Sequence, residues 1–252
     1  MQNLGLAISL CGFLLEGVLI LRGARNGVFK ALPLFYSYII YCFCGFLGMY
    51  LIYWLDPHVY SSAYWMYYLI SMLVEFTVLV EISDQIFQPF PAIRNLGRAL
   101  TIAITAVFGL LYILPTILRS AGNSPALLGF TLRASVTKAF ILLVLFYLAR
   151  HYGSPLGRNV GGLMLGFSIY MALNIAMMAS AKAFGSALIA QTLWVMAPLA
   201  SALCLLVWTI SLWELAPMPS LSIVSTATES DSEIVALQLT RFNSELSKLL
   251  HK

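Results

Sequence analysis

Apolar residues occur along this chain in long blocks, not in alternation. Seven blocks stand out, at about 3–22, 33–54, 63–87, 99–118, 128–149, 159–181 and 187–213. Each is close to the roughly 20 residues that a helix needs to cross a bilayer core. The polar breaks between them have turn chemistry: residues 22–27 (Arg-Gly-Ala-Arg-Asn-Gly), Asp56-Pro57, residues 88–91 (Gln-Pro-Phe-Pro), residues 122–125 (Gly-Asn-Ser-Pro), residues 153–155 (Gly-Ser-Pro) and Gly185. The pattern predicts an all-α polytopic membrane protein, with residues 1–214 forming a bundle of seven transmembrane helices. The first block has no basic n-region, and Arg22 and Arg25 follow it in place of a small-residue cleavage site. It reads as a retained helix, not a signal peptide.

Composition strengthens the membrane reading. Of 252 residues, 61% are hydrophobic and only 10% charged, against roughly 25% charged in soluble domains. The formal net charge of +4 does not indicate nucleic acid, because the basic residues cluster at block ends. The loops after spans one, three and five hold Arg22, Arg25, Lys30, Arg94, Arg98, Arg150 and Arg158. The opposite loops hold Arg119 and Lys182. Basic residues favour the cytoplasmic side, so the expectation is an N-terminus outside and a C-terminus in the cytoplasm, in a bacterial inner membrane. Tyr50, Tyr53, Trp54, Tyr60, Tyr64, Trp65, Tyr67 and Tyr68 crowd the outer ends of spans two and three. They form an interfacial belt or line an outward-facing pocket.

Helices in lipid associate through close packing of small residues. Gly157-x-x-x-Gly161 and Gly162-x-x-x-Gly166, followed by Ala172, Ala176 and Ser180, mark span six as a central or dimer-facing helix. Pro198 in span seven removes a backbone donor and predicts a kink.

Against this apolar background, the ionisable residues are the candidate chemistry, since charges at bilayer depth normally face protein or water. Span three carries Glu75, Glu81 and Asp84. With Gln88 as the inner boundary and a rise of about 1.5 Å per residue, Asp84 lies about 6 Å inside, Glu81 about 10 Å and Glu75 about 20 Å. Glu81, Asp84, Gln85 and Gln88 share one face, a polar stripe within reach of the basic loops at Arg25, Arg94, Arg98 and Arg158. Glu16 of span one is expected at a similar inner depth, joining that cluster in a site suited to proton or cation binding. Glu75 points about 120° away from Glu81. Lys138 of span five is the one basic residue at its depth, and is its expected partner. Arg133 lies nearer the outer surface on the same span. Asn174 and Gln191 are further polar candidates for the interior, as interhelical hydrogen bonds or ligand contacts.

After Glu214 the composition changes. Residues 215–232 are rich in Pro, Ser and Thr and read as a flexible linker. Residues 233–252 read as a cytoplasmic amphipathic helix with a narrow seam of Val235, Leu239, Phe242, Leu246 and Leu249. That helix pairs with another copy, lies on the inner leaflet, or docks a partner protein. It is too short for a catalytic output domain.

Several function classes fall away. His58, His151 and His251, like Cys11, Cys42, Cys44 and Cys204, lack metal-ligand spacing. No catalytic, cofactor or metal site is expected. A retinal Schiff base needs a lysine near the middle of the last helix, and 187–213 contains none. Residues 81–91, Glu-Ile-Ser-Asp-Gln-Ile-Phe-Gln-Pro-Phe-Pro, resemble a segment of uncharacterised bacterial seven-helix membrane proteins. The resemblance implies that architecture and no activity. What remains is a non-enzymatic sensor or interaction subunit that signals through a separate protein. The alternative is a small-solute or proton-coupled transporter using intramembrane carboxylates.

Overall fold

In the computed structural model, residues 2–88, 90–109, 111, 124–152, 154, 156–184 and 186–214 are described. Among them every regular element is a helix: α1 (Gln2–Asn26), α2 (Val28–Ala31), α3 (Pro33–Leu55), α4 (Pro57–Ile86), α5 (Pro91–Phe108), α6 (Ser124–His151), α7 (Arg158–Phe184) and α8 (Ser186–Ser211). Five stretches are long and apolar enough to cross a membrane: Leu4–Asn26, Pro33–Leu55, Pro57–Ile86, Gly129–His151 and Arg158–Ser180. The described chain is all-helical, and its long apolar helices suggest a membrane protein. The linker and helix expected over 215–252 lie outside the described residues, as do Arg119 and the side chains of Lys182 and Gln191.

The helix starts follow from local chemistry. Pro33, Pro57 and Pro91 each stand in the first turn of a helix, where the missing N–H leaves no bond unmade. Asp56 alone separates α3 from α4, and its carboxylate accepts a hydrogen bond from the His58 N–H at 3.0 Å. The third long helix therefore begins at Pro57, six residues before the expected start. At the other end of the bundle, α1 continues through residues 22–26, where a loop was expected. It stops at Gly27, whose φ of 72° glycine adopts without a Cβ clash. Arg94 and Arg98, expected in a loop, lie inside α5.

The long helices pack in chain order as a ring: α1 on α3, α3 on α4, α4 on α5, α5 on α6, α6 on α7, α7 on α8, and α8 back on α1. Among the described residues α4 cuts across it, touching α6 and α7 as well as its ring neighbours, and the α3 side chains Phe35 and Tyr38 also reach Trp208 of α8. The helix with the most neighbours is thus α4, while α7, which the glycine spacing marked as central or dimer-facing, touches α4, α6 and α8. Two of its glycines serve the contact with α8. Gly162 lies against Ser211 and Gly166 against the Trp208 indole of α8, whose Nε1 donates to the Leu163 carbonyl at 3.2 Å. Trp208 then packs edge-on to Phe35 (5.0 Å between centroids) and tilted on Phe167 (4.7 Å). Gly45 admits the Tyr67 ring between α3 and α4 in the same way. Pro198 lies inside α8.

Burial is uneven along the helices. In α4 the buried residues are Met72, Glu75, Phe76, Val78, Leu79, Glu81, Ile82, Ser83 and Ile86. None precedes Met72. In α3 they are Phe35, Tyr36, Tyr38 and Ile39, all near its start. The end of the α3–α4 hairpin around Asp56 is aromatic and open. The end around Pro33 and Ile86 is packed, and carries the arginines of α1, α5 and α7.

Candidate functional site

One helix supplies most of the polar contacts that cross between helices. Near the middle of α4, the Glu75 carboxylate forms an ion pair with the Lys138 ammonium of α6. Both side chains are buried, at 7% and 4% exposure. The Tyr38 hydroxyl of α3 donates to the same carboxylate at 3.1 Å. Phe76 places its ring centroid 5.9 Å from the Lys138 nitrogen, so the pair sits among apolar and aromatic groups. Two charges removed from water are tolerable only when paired and hydrogen-bonded, and here each oxygen of Glu75 has a donor. Tyr68, Tyr170 and Cys204 lie within the electrostatic reach of Glu75. Three helices meet at this carboxylate.

One and a half turns further on, Glu81 has a different task. Its two oxygens accept the backbone N–H groups of Leu34 (2.9 Å) and Phe35 (2.7 Å). The first turn of a helix leaves such donors without intrahelical partners, and a carboxylate there also complements the helix dipole. Glu81 is therefore the cap of α3, supplied by a neighbouring helix. The expected pairing with basic loops does not occur for this residue. Its partner is a backbone terminus, already the best donor within reach. Gln85, one turn along, donates to the Ala31 carbonyl at 2.8 Å and so holds the end of α2. Asp84 faces another way and does pair with basic residues: 3.3 Å to Arg94 and 4.0 Å to Arg98, both on α5. These arginines are about half exposed, so this clasp is the weaker one. The expected polar stripe thus divides, with Glu81 and Gln85 serving α2 and α3, and Asp84 serving α5.

The remaining candidates are scattered. Asn174 is buried on α7 and donates to the Tyr170 carbonyl at 3.0 Å within its own helix. Arg133 is exposed on α6, five residues before Lys138. Gln191 lies in α8 with its side chain outside the described residues. Glu16 is half-buried on α1 and does not join the inner stripe. Its charge is sensed by Cys42 of α3 and Tyr67 of α4. The misplacement follows from α1 running to Asn26, which puts Glu16 ten residues from the helix end, or about 15 Å.

Two features were missed. Tyr38 and Cys42, one turn apart on α3, are joined to Glu75, the first by a hydrogen bond and the second through Tyr38. A hydroxyl and a thiol in the interior half of an apolar run were the available signal. The second is a clamp on the backbone just after α8, at Trp213 and Glu214. Asn26 donates to the Trp213 carbonyl at 2.8 Å, and Arg22 reaches the same oxygen at 3.3 Å while its guanidinium lies 4.4 Å from the Trp213 ring centroid. Asn159 and Arg158 of α7 donate to the Glu214 carbonyl at 3.1 and 3.4 Å. Cations and amide donors at a helix C-terminus satisfy its orphan carbonyls and its dipole. No family model, curated protein or solved structure matches the chain, so its chemistry is argued from these contacts alone.

Proposed function

We propose that the chain is a seven-helix sensor or interaction subunit of a bacterial inner membrane, non-enzymatic, with its N-terminus outside, signalling through a separate partner protein. The observation that carries this reading is the polar wiring of α4. Within eleven residues it binds α6 and α3 through Glu75, the start of α3 through Glu81, α5 through Asp84 and the end of α2 through Gln85. A helix wired to that many neighbours is a natural two-state element, because any displacement must exchange several contacts together. The orientation is supported by the basic residues of alternate connections. Arg22 and Arg158, from different connections, meet at the end of α8. In this reading all of α1 and α3–α8 cross the membrane.

Two measurements on one preparation test the proposal. The first is co-purification of a partner from the native membrane with the full chain and with residues 229–252 deleted. The second is solute flux into proteoliposomes. The expected result is a partner lost on deletion and released or tightened by Glu75→Gln, with no flux. Solute flux that Glu75→Gln abolishes, without a partner, overturns the sensor reading in favour of a small-solute or proton-coupled transporter.

A further inference from the structure

Glu75, Glu81 and Asp84 each have a partner. Glu16 has none: among the described residues no hydrogen bond or ion pair reaches its carboxylate. It does not face lipid. On α1 the buried positions include Gly12, Leu19 and Gly23, and at about 100° per residue Glu16 lies within about 60° of all three. A Cβ at Gly12 would lie 3.7 Å from Leu205 of α8 and one at Gly17 3.6 Å from Phe43 of α3, while one at Gly23 would run into the Tyr36 ring. These neighbours place Glu16 between α3 and α8, level with Cys42 and Phe43. That is about 15 Å above the start of α3, half of a core about 30 Å thick.

Among the described residues no counter-charge is available there. Neither α3 nor α8, the long helices packed on α1, contains a single lysine, arginine or histidine. On α1 itself, Arg22 and Arg25 point at least about 120° away from Glu16. The one basic residue of α2, Lys30, is exposed at the far end. Among the described residues the Cys42 thiol of α3 and the Tyr67 hydroxyl of α4 lie within electrostatic reach of Glu16. Cys42 also lies against Tyr38 and within electrostatic reach of Glu75, so it is in reach of both carboxylates. An ionised carboxylate without a partner in such a place is costly, and the group is neutralised by taking up a proton. A metal cation would need several oxygen ligands, and the described groups in reach are one hydroxyl and a soft thiol.

We propose that Glu16 is an intramembrane proton-binding site between α3 and α8, whose carboxylate takes up a proton from water and returns it. The site is independent of the sensor reading, since it rests on α1 and its neighbours and not on the wiring of α4. The test is dicyclohexylcarbodiimide labelling of the wild-type protein in membranes, mapped by peptide mass, so that no variant has to fold. The reagent is lipid-soluble and adds to protonated carboxyl groups. The expected adduct is on Glu16, with the ion-paired Glu75 spared. Labelling falls about tenfold for each pH unit above the titration midpoint, as the protonated fraction does. Absence of an adduct on Glu16 at any pH overturns the proposal, as does labelling that ignores pH. Protection by sodium at constant pH assigns the site to a metal cation, and also overturns it.

Discussion

The two halves of α4 are opposite in environment. Residues 57–71 are rich in aromatic and small polar side chains, and none is buried. Residues 72–86 are the more aliphatic half, yet carry three carboxylates, and include nine buried positions with two of those carboxylates among them. In water, such a difference would follow hydrophobicity. In lipid the solvent is as apolar as leucine, so hydrophobicity selects no side of a helix. What separates the halves is where polar groups find partners. The packed half has Glu75, Glu81, Asp84 and Gln85, each holding a neighbour. The open half has a run of rings, from Tyr53 against Tyr60 (5.4 Å) to Tyr64 beside Trp65 and Tyr68, that hold mainly one another.

The largest way to break this contrast is at Lys138. Lys138→Met strands Glu75 as a buried charge and costs about 3–5 kcal/mol, whereas replacing both partners costs far less. Reversible unfolding in mixed micelles, comparing Lys138→Met with the Glu75→Gln/Lys138→Met double variant, measures this. A double variant no more stable than the single removes the ion pair as the organiser of the packed half. Glu81→Ala comes next. It removes two charge-assisted bonds from the start of α3 and should cost about 2–3 kcal/mol, with faster amide exchange at Leu34 and Phe35. Two glycines of α7 give a pair of opposite sign. Gly166→Ala meets Trp208 and should lower stability by about 1–3 kcal/mol. Gly161→Ala meets nothing within 4 Å and should raise it by up to about 1 kcal/mol. Thermal melts in detergent read both signs. Asp84→Asn breaks only a half-exposed pair and should cost about 0–1 kcal/mol, shrinking further in high salt. The smallest effect is expected in the open half: Trp54, at 77% exposure, should change stability by no more than about 0.5 kcal/mol when replaced by alanine. A loss above that would show that the aromatic end is held together after all.

Much of this architecture was readable as sequence, for specific reasons. The apolar blocks and proline punctuation place most helices within a few residues. The Glu75–Lys138 contact was readable because depth arithmetic leaves a single basic residue opposite that carboxylate. The role of Glu81 was hidden because its partner is the backbone of Leu34 and Phe35, and a helix start has no letter of its own. Glu16 was misplaced by the short polar run at 22–26, which looks like a loop and is the last turn of α1. That α4 touches the most neighbours was also hidden. Glycine spacing reports which helix allows a close approach, and the Gly162 and Gly166 contacts show that this is a property of a pair, α7 with α8.

The hairpin of α3 and α4 is joined at one end by the single residue Asp56 and at the other by the Glu81 bonds to Leu34 and Phe35. Two rods fastened at both ends lose the freedom to slide along each other. They keep the freedom to tilt together as one plank. A force applied at the aromatic end therefore arrives at the arginine end as a lateral swing, with the sense of a lever and not of a piston. While both fastenings hold, a displacement of one helix along its axis relative to the other is forbidden by the geometry of the hairpin itself.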